Sequence, residues 1–229
     1  MEAIAVLTLG NLTAMIGAVG ALGTAAFGLV DSFKVFPGGG LSRAGFKFIR
    51  RTILKLAPAV PSFEKSGLSS NAVIFTLQSQ WINGTASSAQ INIAKSLIKL
   101  RLTPDTASAL ASATGVDETI LSQIAESIRT ATTLTPAQSD VYGRFDLLLT
   151  TLLDQAYQRA DQRYRNVAKF AAVPVAVALA VAAAYVVPIQ IKVSEAVLLG
   201  LIATPIAPVA KDVSSAIATA AQAIQTWKR

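Results

Sequence analysis

From Ala3 to Val30 the chain runs 28 residues without a charge. Uncharged runs return at Phe170–Ile191 (22 residues) and Ala196–Ala210 (15 residues). Between them the pattern breaks into shorter segments with apolar residues three or four apart, the spacing of helices with one buried face. A helix needs about 20 apolar residues to cross the hydrocarbon core, so the first two runs are long enough and the third is short. The pattern therefore predicts an all-α integral membrane protein with three transmembrane helices and a helical cytoplasmic domain between the first and second spans. The expected segments are 1–33, the first transmembrane helix; 34–60, a hinge and a basic interfacial helix; and 61–169, a helical cytoplasmic domain ending in a long stalk helix. A transmembrane hairpin over 170–210 and a C-terminal amphipathic interfacial helix over 211–229 complete the chain. No Lys or Arg precedes the first apolar run, and Glu2 does, so it reads as a span rather than a cleavable signal peptide.

Local punctuation places the helices of the middle segment. "FPGGG" at Phe36–Gly40 marks the hinge. Ser70 or Asn71 caps a helix that runs through Trp81 and stops at Asn83-Gly84, although Ala72–Leu77 would also suit a strand. A second helix covers Ser88–Leu102. "LTPD" puts Thr103 at an N-cap with Pro104 at the first helical position; "LTPAQ" repeats the device at Thr135 and Pro136, with Gln138 closing a capping box. Ala109–Ile124 has the shape of a helix-turn-helix core, with Gly115 at the turn and Val116, Ile120 and Ile124 inward. Its second helix opens on Asp117, Glu118 and Thr119, the wrong charge for a DNA groove. From Pro136 to Val187 the pattern predicts one helix, roughly 75 Å at 1.5 Å per residue. An approximate apolar seam (Leu149, Leu152, Ala156, Ala160, Val167) follows it, and Asp161 and Arg165 stand one turn apart on its surface.

Charge sets the orientation. Only 14% of residues are charged, against about a quarter in soluble domains, and mean hydropathy is +0.52. Lys34–Arg101 carries ten Lys or Arg against the single acid Glu64, whereas Leu102–Leu153 carries two bases against six acids. Basic residues follow the first span (Lys34, Arg43, Lys47, Arg50, Arg51) and precede the second (Arg159, Arg163, Arg165, Lys169). The positive-inside rule then makes the long middle segment cytoplasmic, the amino terminus external and the carboxyl terminus internal. A bacterial inner membrane or a thylakoid-type membrane fits that arrangement.

Within "RAGFKFIRRTILKL", Arg43, Lys47, Arg51 and Lys55 recur at every fourth residue, joined by Arg50, while Phe46, Ile49, Ile53 and Leu56 form another face. This is the pattern of a helix lying on anionic headgroups, and it predicts membrane lipid as a partner. Nucleic acid is not expected, because the stripe lacks interleaved aromatics for base stacking. At the other end, Pro205 and Pro208 predict a break where the helix leaves the bilayer. Lys211 would reach the interface there, and a surface helix anchored by Trp227 would follow.

The chain has no cysteine and no histidine, and it carries no phosphate-binding glycine loop or carboxylate cluster of metal-ligand spacing. No cofactor, metal site or catalytic role is expected. Instead, Gly10, Ala14 and Ala18 form one small-xxx-small row in the first span, and Gly17, Ala21 and Ala25 form another. The alanine-rich second span offers a matching surface. Such rows let helix backbones meet closely in lipid. The leading expectation is a non-enzymatic homo-oligomer acting as a scaffold or adaptor, with a cytoplasmic protein partner. The alternative is an anion-leaning channel with Thr8, Asn11 and Thr24 lining its pore.

Overall fold

Caps and turns divide the middle of the chain as their chemistry requires. Ser69 accepts a hydrogen bond from the Ala72 amide at 3.2 Å and starts a helix that ends at Asn83, with Gly84 in the left-handed region at φ 70°. Thr103 and Thr106 form a capping box ahead of Pro104. Gly115, at φ 76°, ends that helix, and Asp117 accepts from the Ile120 amide at 2.8 Å to start the next. The Thr135 amide donates to Gln138 Oε1 at 2.9 Å, and the Gln138 amide donates back to Thr135 Oγ1 at 3.3 Å. The computed structural model describes residues 9–32, 40–186 and 191–227, and within them the chain is all-α. The helices are α1 (Leu9–Ser32), α2 (Ser42–Leu56), α3 (Ser70–Ile82), α4 (Ser87–Lys99), α5 (Pro104–Thr114), α6 (Glu118–Arg129), α7 (Pro136–Val186) and α8 (Val193–Trp227). Ala72–Leu77 is helical, inside α3.

The chain forms two compact units, 35–164 and a second made of 1–34 with 165–229. The helical unit has a continuous apolar core built from α2–α6 and the first part of α7. On α7, Phe145, Leu149, Leu153, Tyr157 and Ala160 are buried at spacings of three and four and face this core; of the expected seam, Leu149 and Ala160 are among them and Leu152 packs partly buried against it. In α2, Phe46, Ile49, Ile53 and Leu56 are buried in the same core. The apolar face of α2 is thus covered by protein, and its basic face is the one left exposed. Gly45 lets α2 meet α7 closely, since a Cβ there would fall 2.5 Å from the Ala160 carbonyl oxygen. Trp81 Nε1 donates to the Ser42 carbonyl at 3.1 Å and stacks at a tilt on Tyr157, fixing the start of α2.

In the other unit, α1 packs along α8. A Cβ on Gly23 would meet the Ala203 carbonyl oxygen at 2.2 Å, so backbones touch there, flanked by buried Ala26 and Val30. Gly200 gives α8 the same closeness to α7, whose Val177 Cα would stand 2.4 Å from an added Cβ. Ala172 and Ala176 are fully buried on the α7 side. Two helices are long and apolar enough to cross a membrane, within Ala14–Ser32 and Pro136–Val186; Val193–Val209 is a shorter apolar stretch of α8. The helix does not break at Pro205 or Pro208: α8 continues through both to Trp227 as one 35-residue element. Each proline costs a hydrogen bond to the carbonyl four residues earlier, and the remaining ladder carries the helix across. A separate helix over 211–229 is therefore not formed.

Candidate membrane and anion-binding surfaces

From Ala14 onward, the small-residue rows of α1 fall on its exposed side, away from the stripe packed on α8. Ala14, Gly17, Ala18, Ala21 and Ala25 are all exposed, and a Cβ added to Gly17 would meet nothing within 4 Å. Gly28 continues this face and is equally open. Contacts within the chain use another stripe, Gly20, Gly23, Ala26 and Val30. Sequence reasoning missed that stripe because α1 is small or apolar on every side; Gly20 and Gly23, three apart, were the available signal. Ala18 also borders an apolar groove with Leu22, Ala180 and Leu199.

Of the three pore candidates, Thr24 is exposed, and its hydroxyl donates to the Gly20 carbonyl at 2.9 Å within its own helix. Thr8 lies outside the described residues. Gly10 and Asn11 lie in the helical backbone of α1, with the surroundings of their side chains outside the description. The side chains of Lys211 and Trp227 also lie outside it.

Near the prolines, Phe27, Asn166, Lys169, Thr204, Pro205 and Pro208 border a groove of about 430 Å³. Thr204 is buried, and its hydroxyl has no hydrogen-bond partner among the described residues. Among the described residues, the charged group on this lining is the Lys169 cation, which has the wrong sign to attract a metal ion.

In the helical unit, Arg43, Lys47, Arg50, Arg51 and Lys55 are all exposed along α2. With the apolar face of the helix in the core, cations are what this surface presents. Arg51 and Lys55 are joined by Arg159 of α7 around a groove of about 480 Å³. No acid borders it.

Three other basic residues of this unit, Lys95, Lys99 and Arg101, serve structure. Asp146 receives Lys95 at 3.1 Å and Lys99 beside it, and Lys99 stands 5.0 Å from the centre of the Tyr142 ring. Burial would raise the Asp146 carboxyl pKa, but the hydrogen bonds and charges of Lys99 and Lys95 outweigh it and hold the group below the ordinary carboxylate range. Arg101 is 1% exposed; its guanidinium donates to the carbonyls of Leu68 and Pro58 and lies over the Phe63 ring at 4.8 Å. Burial lowers its pKa, as expected for a cation drawn out of water. These two clusters tie the helix connections together, whereas the groove at Arg51, Lys55 and Arg159 has no such internal use. No protein-family model, curated protein or solved structure matches this chain.

Proposed function

We propose that this chain is a non-enzymatic integral membrane protein that self-associates through α1 and serves as a scaffold or adaptor through its helical unit. The outward face of α1 carries this reading. In lipid, small side chains gain nothing by facing acyl tails, which are as apolar as a leucine, but they let a second helix approach backbone to backbone. The face from Ala14 to Gly28 is small, exposed and distinct from the stripe used within the chain. In this reading α1, the second part of α7 and the first part of α8 cross the bilayer. The amino terminus is external, and the helical unit and the carboxyl terminus are cytoplasmic, in keeping with the basic residues on either side of the middle segment.

The absence of cysteine from the sequence makes the test direct. Ala21→Cys, in the small face, should form disulfide-linked dimers in oxidised native membranes. Met15→Cys, exposed but off that face, should not. Failure of Ala21→Cys to cross-link, or equal cross-linking at both positions, would defeat the proposal.

A further inference from the structure

Arg51 and Lys55 stand one turn apart on α2, and Arg159 reaches the same groove from α7. All three are exposed, and none makes an ion pair among the described residues. Two acids of the same unit are engaged elsewhere: Asp146 with Lys95 and Lys99, and Glu126 with Arg129. Three like charges around one concavity repel each other, and a cleft of a single sign over apolar walls concentrates its field on an incoming anion. Two guanidinium groups and an ammonium suit phosphate oxygens, which arginine can engage two at a time.

The rest of the groove narrows the class of ligand. Its walls include Phe48, Leu56 and Leu152, with the partly exposed Leu54 also on the lining. Thr52 and Gln155 add neutral hydrogen-bonding groups. A fully hydrated inorganic anion would leave the apolar walls unfilled, whereas a phosphate ester with an apolar body would cover them. We infer that the groove between α2 and α7 binds the phosphate headgroup of an anionic phospholipid, held by Arg51, Lys55 and Arg159 with the glycerol and upper acyl carbons against Phe48, Leu54 and Leu152. The site goes beyond self-association and does not depend on it.

The test uses the full chain in an uncharged detergent, titrated calorimetrically with dihexanoyl phosphatidic acid, dihexanoyl phosphatidylcholine and inorganic pyrophosphate. Phosphatidic acid should bind saturably, and the other two at least about tenfold more weakly, as expected when one charge-assisted contact or the apolar contact is missing. Arg159→Gln and Arg51→Gln should each weaken phosphatidic acid by about tenfold or more. Arg43→Gln, on the same stripe but outside the groove, should change it by less than about twofold, the effect of an exposed charge. All three are exposed, so thermal melts of the variants should match the parent chain. Equal losses at Arg43 and Arg159 would reduce the effect to diffuse surface charge and overturn the site. Pyrophosphate binding as tightly as phosphatidic acid would overturn the lipid assignment. No saturable binding of phosphatidic acid would overturn both. Each result counts ligand per chain, so it stands whether or not the chain assembles.

Discussion

Arg101 shows how a single side chain can organise loops that the apolar core does not reach. Its guanidinium bridges the carbonyls of Pro58 and Leu68, on either side of a short 3₁₀ turn at Pro61–Phe63. Truncation would leave both carbonyls without a donor in a buried setting. Arg101→Ala should therefore destabilise the helical unit by about 3 kcal/mol. Arg101→Lys should recover only part of that, because one ammonium lacks the fork that spans two acceptors. Denaturant unfolding followed by circular dichroism measures both. Tyr157 predicts the opposite sign. Its hydroxyl is buried without a partner among the described residues, and burial raises its pKa because the phenolate would be stranded. Tyr157→Phe should keep the ring contact with Trp81 and raise stability by roughly 0.5–1 kcal/mol, since no bond is lost and a desolvated hydroxyl is removed. Asp146 predicts a pH dependence. Its folded carboxyl is depressed, so the stability it contributes is present above its unfolded pKa of about 4 and is lost as pH falls through the lower folded value. Asp146→Asn should cost about 1 kcal/mol at neutral pH and flatten the acid limb of the stability curve.

At the scale of elements, glycines decide which helices can touch. Gly23→Ala puts a methyl group where the Ala203 carbonyl oxygen stands, and α1 must move away from α8. The expected loss is about 2 kcal/mol or more, seen as a lower melting midpoint of the protein in detergent. Gly17→Ala meets open space within the chain, so it should leave the packing of α1 on α8 undisturbed and act only through the self-association face. Most of the fold was legible at this scale. Thr103-Pro104, Gly115, Thr135-Pro136 and Asn83-Gly84 set helix ends by local chemistry, and local chemistry is what a sequence displays. The uninterrupted α7 was legible from its sustained apolar spacing, which runs on past Gly143 and Pro174 inside the helix. Two features were not legible. The amphipathic pattern of α2 is identical whether its apolar face meets lipid or a protein core, and only the tertiary fold selects between them. Pro205 and Pro208 carry a strong local bias against helix, and the continuous α8 shows that bias overridden. Of the candidate surfaces, the cations of α2 were legible as a stripe. Arg159 was not, because it is brought to Arg51 and Lys55 by packing across more than a hundred residues of chain.

At the scale of the whole molecule, the sequence divides its labour. Small and apolar residues are concentrated in the spans, and charge is concentrated in the segment between them. In the reading proposed here, assembly belongs to α1 and lipid or partner contact belongs to the helical unit, so each can be removed without the other. Ala21→Leu in the small face should impair assembly and leave phosphatidic acid binding intact, while Arg159→Gln should do the reverse. Particle mass and calorimetry on the two variants check that separation. The measurement that bears most directly on self-association is the protein-only mass of the particle in mild detergent, by light scattering with refractive-index and absorbance detection. The account predicts a homo-oligomer, a whole-number multiple of the 23.8 kDa chain that falls when Ala21 is enlarged. A particle of 23.8 kDa across the accessible concentration range would contradict it.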